Sequence, residues 1–104
     1  MAQFDVHPNP VGEMADMAPF VLDLQDGGLA AMPTRLVAPL VRQEEGVRPA
    51  RHLTPVMAVD GERLMLMPHL MAAVPAKSLG RPIGSLADRR DEIVAALDFL
   101  FTGI

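Results

Sequence analysis

The sequence has no cysteine, no long hydrophobic run and no excess of basic residues, and each absence excludes a class of protein. Without cysteine the chain cannot form a disulfide scaffold, use a thiol in catalysis or bind zinc through sulfur. The longest uncharged stretch, residues 64–76, is thirteen residues long, whereas a membrane-spanning helix needs about 20. The first residues also lack the basic region and apolar run of a signal peptide. We therefore expect a cytoplasmic protein with no membrane partner.

The charge balance is acidic, with 9 Lys plus Arg, 13 Asp plus Glu and a formal net charge of −4. Because basic side chains supply most of the affinity for nucleic acid, direct nucleic-acid binding is disfavoured. A composition of 50% hydrophobic and 21% charged residues predicts one packed domain over residues 1–104. A domain of this size buries only about two thirds of its unfolded surface. A second copy would cover more of it, so we expect a homodimer.

No group of side chains predicts an active site or a metal site. Three histidines lie in separate segments without the spacing of metal ligands: His7, His52 and His69. The only two serines, Ser78 and Ser85, lie outside any nucleophile-elbow motif. Arg89 and Arg90 could contact a phosphate, but the acidic residues beside them favour local ion pairs. We therefore expect a binding protein without metal or cofactor rather than an enzyme.

Alternating apolar residues and turn motifs predict several antiparallel strands. The predicted strands are residues 3–7, 19–25, 34–41, 55–59 and 62–67, and residues 74–79 are a further candidate. Phe4 and Val6 share one face of the first strand, which is typical of a half-buried strand. Pro39 cannot donate a ladder hydrogen bond, so it predicts an edge position or a bulge for its strand.

The dipeptide Asp60-Gly61 predicts a tight hairpin between strands 55–59 and 62–67. Both positions tolerate positive φ, as a two-residue type I′ turn requires. Residues 64–67 of the second strand are all apolar, so both of its faces are expected to be buried. A partner subunit could cover one of them.

The last part of the chain predicts an amphipathic helix. Ser85 and Asp88 have the spacing of a capping box in front of it. One stripe of the helix is apolar: Ile93, Leu97, Leu100, Phe101 and Ile104. Since this stripe reaches an apolar last residue, we expect the end of the helix to dock onto a partner. About five antiparallel strands followed by one helix predict a mainly β fold, a small barrel with an appended helix.

Six segments along the chain carry a family resemblance. They are Gln3-Phe4-Asp5-Val6, Phe20 to Gln25, Arg35 to Leu40, Pro55-Val56 through Glu62, Met71 to Pro75, and Leu86 through Ile93 to Phe101-Thr102-Gly103-Ile104. In this order and spacing they resemble the CcdB toxin family. The resemblance covers nearly the whole chain apart from the loops at 8–18 and 42–52. It implies an SH3-like antiparallel barrel with a C-terminal α-helix.

The resemblance also implies a function. In this family, a homodimer binds the A subunit of DNA gyrase through its paired C-terminal ends and traps the cleaved DNA–gyrase complex, and a CcdA-like antitoxin releases it. By position, Gly103 and Ile104 correspond to the gyrase-contacting end. Thr102 precedes them, and Asp98 places a negative charge nearby that would meet a basic target. These four residues form the expected gyrase-binding site.

One residue departs from the family pattern. Toxic relatives have a tryptophan immediately before Gly-Ile, where this chain has Thr102. Loss of such an aromatic anchor costs about 2 kcal/mol, which corresponds to about thirtyfold in affinity. Gyrase binding is therefore expected to be weakened unless another residue compensates.

The sequence leaves two other functions open. One is a non-toxic or retargeted CcdB-like protein that still binds an antitoxin-like partner. The other is an endoribonuclease, because a related toxin family with a similar barrel cleaves RNA. An RNase would need convergent catalytic side chains and a basic surface to hold the strand. Dispersed histidines and a net charge of −4 disfavour it.

Overall fold

Seven β-strands and one C-terminal α-helix make up the fold over residues 2–44 and 48–103, the part of the chain that the computed structural model describes. The elements are β1 (Asp5–Pro8), β2 (Phe20–Asp23), β3 (Thr34–Arg42), β4 (Val56–Val59), β5 (Glu62–Leu66), β6 (Ala72–Pro75), β7 (Gly84–Ser85) and α1 (Arg90–Thr102). All pairings are antiparallel in the order β4-β5-β3-β2-β1-β7, and β6 also pairs with β3. The predicted mainly β barrel with a C-terminal helix is confirmed as a nearly closed, barrel-like sheet.

The main core lies between the concave face of this sheet and the first half of α1. Its fully buried members come from four strands and the helix: Leu22, Ala38, Leu40, Met57, Leu64, Leu66 and Ile93. Burial of each large aliphatic side chain contributes about 1.5–3 kcal/mol. This cluster therefore anchors the helix to the sheet.

A second buried layer covers the opposite face of β2 and β3. Val21 and Val37 pack there against Leu79, and the fully buried carboxylate of Asp23 accepts two hydrogen bonds from Arg35. The Nε–Oδ2 distance is 2.8 Å, and both side chains are excluded from solvent. Nη2 of Arg35 also donates to the carbonyl of Gln25 at 2.8 Å. This two-pronged geometry is the strong form of an arginine–carboxylate pair, and Nη1 of Arg35 is left buried without a hydrogen-bond partner among the described residues.

β1 begins later than predicted and is buried on both faces. Phe4 precedes it with φ of 70°, so Gln3 and Phe4 lie outside the strand. His7 is fully buried, and its Nδ1 donates to the carbonyl of Gly80 at 2.7 Å. The expectation of a half-buried strand is wrong because the segment after β6 crosses over its second face.

β5 is also buried on both faces, within a single chain. Leu64, Met65 and Leu66 are all at most 2% exposed. Met65 and Met17 line the same small surface depression. Met17 is held there because its carbonyl accepts a hydrogen bond from the backbone N–H of Arg42 at 2.8 Å. The segment before β2 therefore helps to cover this face. The expectation that both faces of β5 are buried is confirmed, and the chain itself covers both at Leu64, Met65 and Leu66.

Pro39 lies in a central strand, contrary to the expectation of an edge. One side of β3 pairs with β2, while the other pairs first with β6 up to Val37 and then with β5 from Leu40. The Pro39 carbonyl accepts a hydrogen bond from the N–H of Met67. The nitrogen and the carbonyl of one strand residue face the same side, so the Pro39 ring nitrogen faces the side of β3 on which the pairing partner changes from β6 to β5. A proline is tolerated there because the ladder is already interrupted.

The predicted turn between β4 and β5 is confirmed. Asp60 has φ of 52° and Gly61 has φ of 79°, and these two positive values are those of a type I′ turn. Residues 74–79 are only partly a strand, since a 3₁₀ turn follows β6 at Ala76–Ser78.

The chain enters α1 through a 3₁₀ turn. Ser85 Oγ accepts from the N–H of Ala87 at 3.1 Å, so the predicted cap precedes the 3₁₀ turn at Ala87–Arg89 rather than the α-helix itself. Among the described residues, no helix is both long and apolar enough to cross a membrane.

Candidate target-binding surface at the end of the C-terminal helix

The two halves of α1 differ in burial. Ile93 and Ala96 are fully buried against the barrel, and Val94 and Leu97 pack at the edge of the core. Phe101, in the last turn, is 71% exposed. The prediction that Phe101 belongs to the packing stripe is therefore wrong. At about 100° per residue Phe101 lies between Val94 and Leu97, which do pack at the edge of the core, so its exposure follows from its place in the last turn.

Three of the four predicted gyrase-binding residues lie together at this exposed end. Asp98, Thr102 and Gly103 are all exposed, and the Thr102 hydroxyl donates to the Asp98 carbonyl at 2.7 Å. Gly103 has φ of 78°, and its N–H donates to the Phe99 carbonyl at 2.9 Å. A left-handed glycine is a common way to end a helix. Ile104 lies outside the described residues, and a binding role for the other three stays a prediction.

A groove of about 730 Å³ runs between α1 and residues 49–56. Ala95, Asp98 and Phe99 line it from the helix, and Gly103 lies at its end. His52 lines the opposite wall. Its ring lies 5.8 Å from the ring of Phe99, tilted by 53°. The groove therefore joins the predicted gyrase-binding residues to a loop for which the sequence predicted no role.

His52 adopts a backbone conformation that favours glycine. Its φ is 67°, and a residue other than glycine in the left-handed region carries a strain of about 1 kcal/mol. A hydrogen-bonded turn fixes this conformation, because the N–H of Ala50 donates to Thr54 Oγ1 at 2.7 Å and the N–H of Thr54 donates back to the Ala50 carbonyl at 3.0 Å. In the sequence, His52 is a candidate only for metal binding, and no pattern indicates its place beside Phe99.

Near the start of α1 an ion pair neutralises one of the two carboxylates in the groove. Arg89 Nε and Nη2 each donate to Glu92 at 2.8 Å, and Nη2 also reaches the Val56 carbonyl. The hydrogen bond from Arg89 lowers the pKa of Glu92, and the same bond raises the pKa of Arg89. Asp98 makes no ion pair with any described residue. It is therefore the uncompensated negative charge on the helix side of the groove.

The prediction of local ion pairs is confirmed for Arg89 and wrong for Arg90. Arg90 Nη1 donates to Gln3 Oε1 at 3.2 Å, and its guanidinium lies 5.6 Å from the centre of the Phe4 ring. This stacking ties the start of the helix to the first residues of the chain. Over residues 2–44 and 48–103, no three His, Asp or Glu side chains converge as metal ligands.

Comparison with known proteins gives a family for the chain. The protein-family model described as CcdB protein matches residues 3–103, whereas no curated protein matches the chain significantly. The family match spans nearly all 104 residues and includes every strand as well as α1. This chain belongs to the CcdB family, whose members are toxins of toxin–antitoxin systems.

Proposed function

We propose that the protein is a toxin that binds the A subunit of DNA gyrase through the end of α1 and traps the cleaved DNA–gyrase complex. It acts as a homodimer in the cytoplasm, and a CcdA-like antitoxin binds and neutralises it. The observation that carries this proposal is the exposed Phe101 in the last turn of a helix that is anchored to the barrel by the buried Ile93 and Ala96 of its first half. Membership of the CcdB family supports it.

Phe101 supplies the aromatic side chain that position 102 lacks. It is a large apolar side chain that is 71% exposed, next to Thr102 and two residues before the end of the described chain. Transfer of a phenylalanine side chain from water into an apolar interface contributes about 1.5–3 kcal/mol. That gain is comparable to the loss expected from the missing tryptophan, about 2 kcal/mol. Gyrase binding is therefore compatible with threonine at position 102.

Homodimerisation is supported by the apolar surface that a single chain leaves uncovered. Besides Phe101, large side chains on two other segments are about half exposed, Met14 and Met17 before β2 and Leu70 after β5. Contact with a second copy or with the antitoxin removes such surface from water.

A gyrase cleavage assay tests the proposal. Purified protein is incubated with gyrase, supercoiled plasmid and ATP, and linear DNA covalently attached to the A subunit is measured. We expect linear DNA with the unaltered protein, about tenfold less or lower with Phe101→Ala, and none with a variant that lacks residues 103–104. Ile83→Ala is the matched control, because Ile83 is also apolar and 45% exposed but follows β6 rather than lying on α1.

Three outcomes would contradict the proposal. Absence of a cleaved complex with gyrase from the protein's own host would favour a retargeted or non-toxic binding protein. Cleaved complex that forms equally well without residues 103–104 would move the contact away from the end of α1. Cleavage of RNA in the absence of gyrase would favour the endoribonuclease.

A further inference from the structure

The groove beside α1 is continuous with the end of the helix. Asp98 and Gly103 line it and also belong to the predicted gyrase-binding site. Its volume of about 730 Å³ lies within the range of cavities that enclose a bound ligand, about 300–1,000 Å³. A target held at the end of α1 therefore has an adjoining cleft large enough for several of its side chains.

The walls of the groove carry charges of opposite sign around an apolar centre. Asp98 on the helix makes no ion pair with a described residue, while Glu92 is already neutralised by Arg89. Arg51 lies on the opposite wall. The rings of His52 and Phe99, 5.8 Å apart, line the same groove. An extended protein segment complements these walls if it carries a basic residue that faces Asp98 and an acidic residue that faces Arg51. An apolar side chain between these two residues would then contact the rings.

His52 is held in place by its own loop rather than by burial. Three residues other than glycine have positive φ in the described chain: Phe4, His52 and Asp60. Phe4 is buried in the core, and Asp60 belongs to the type I′ turn. His52 is exposed, yet the hydrogen bonds between Ala50 and Thr54 hold it in the left-handed region. Strained residues held by their surroundings are enriched at binding sites.

We propose that this groove forms the second half of the gyrase-binding surface, and that His52 and Phe99 hold an apolar side chain of an extended segment of the A subunit. The inference rests on the proposed function and adds residues 49–56 to a site otherwise confined to the end of α1. His52 acts as a specificity-determining residue, because its ring forms the wall that faces the helix.

The backbone of His52 allows a test that separates binding from folding. His52→Gly removes the ring and relieves the positive φ, so the melting temperature should stay the same or rise. We expect the dissociation constant for the purified gyrase A subunit to increase about tenfold. His52→Asn, which also tolerates positive φ, should weaken binding to the same extent. Asp60→Gly is the matched control, since it makes the same backbone change in the β4–β5 turn and should leave the affinity unchanged.

The outcomes distinguish this inference from the proposed function. If the unaltered protein binds the A subunit and His52→Gly binds equally well, the inference fails and the proposed function stands. If Asp60→Gly weakens binding as much as His52→Gly, the effect comes from the backbone and the inference also fails. If the unaltered protein does not bind the A subunit, both fail together.

A second measurement tests the charge complementarity. Asp98→Asn should weaken binding about fivefold and make the affinity less dependent on salt, because one opposite-charge contact is removed. An unchanged affinity and salt dependence would contradict a basic residue in the bound segment.

Discussion

The first half of α1 and its last turn each present large apolar residues, but these residues have opposite environments in the structure. Ile93 is fully buried in the barrel core, whereas Phe101 is 71% exposed. The first half therefore contributes to the stability of the domain, and the last turn is available to a partner. Periodicity alone assigns both residues to one stripe. The structure separates them because the barrel supplies a surface for the first half of the helix and none for Phe101.

The largest effect is expected when the second buried layer, on the face of β2 and β3 away from α1, loses its ion pair. Asp23→Ala leaves Arg35 as a buried charge without its carboxylate, and breaking such a pair costs about 3–5 kcal/mol. That is a large fraction of the stability of a small domain, about 5–15 kcal/mol. The free energy of unfolding in urea measures it.

Asp98→Ala is the matched control for Asp23→Ala, because Asp98 is exposed and outside any ion pair with a described residue. Its free energy of unfolding should change by no more than about 0.5 kcal/mol. Equal losses for the two variants would contradict the contrast between interior and surface.

One substitution in each half of the helix compares the two halves directly, with a smaller expected loss of stability. Ile93→Ala should lower the free energy of unfolding by about 2–5 kcal/mol, because it leaves a cavity in the core. Phe101→Ala should change it by no more than about 0.5 kcal/mol while reducing the gyrase-cleavage signal. Urea unfolding and the cleavage assay on the same two variants provide the test. A stability loss for Phe101→Ala as large as that for Ile93→Ala would show that the last turn packs on the barrel.

The smallest effect concerns the ion pair beside the groove. The hydrogen bond from Arg89 lowers the pKa of Glu92 in the folded protein, so the pair stabilises the fold above the unfolded carboxyl pKa of about 4.3. This stability is lost as the pH falls through the lower folded-state pKa. Since the side chains are 33% and 50% exposed, solvent screening limits the contribution to about 0.5 kcal/mol.

Glu92→Gln should therefore melt slightly below the unaltered protein at neutral pH and at the same temperature in acid. Circular dichroism melts over a pH series measure this difference. Glu13→Gln, a change at an exposed carboxylate outside any ion pair among the described residues, should show no difference at either pH. A deficit of Glu92→Gln that persists in acid would contradict the ion-pair explanation.

Much of the local structure could be predicted because it depends on neighbouring residues. Asp60 and Gly61 predict their turn through the φ values that they tolerate, and the two flanking strands follow from the apolar runs on either side of it. The buried pair of Asp23 and Arg35 could not be predicted, since it depends on the register between β2 and β3 and on the segment that covers them. The stacking of His52 on Phe99 joins two segments that are far apart in the chain.

By itself, the sequence determined the turns, most of the strands, the C-terminal helix and the family. Those features follow from local backbone preferences, hydrophobic periodicity and the order of similar segments. Only the tertiary structure decided which surfaces are covered: both faces of β5 within one chain, both sides of β3 at Pro39, and no part of the barrel over Phe101. Coverage depends on residues distant in sequence, so periodicity can predict that a face is apolar but not what lies against it.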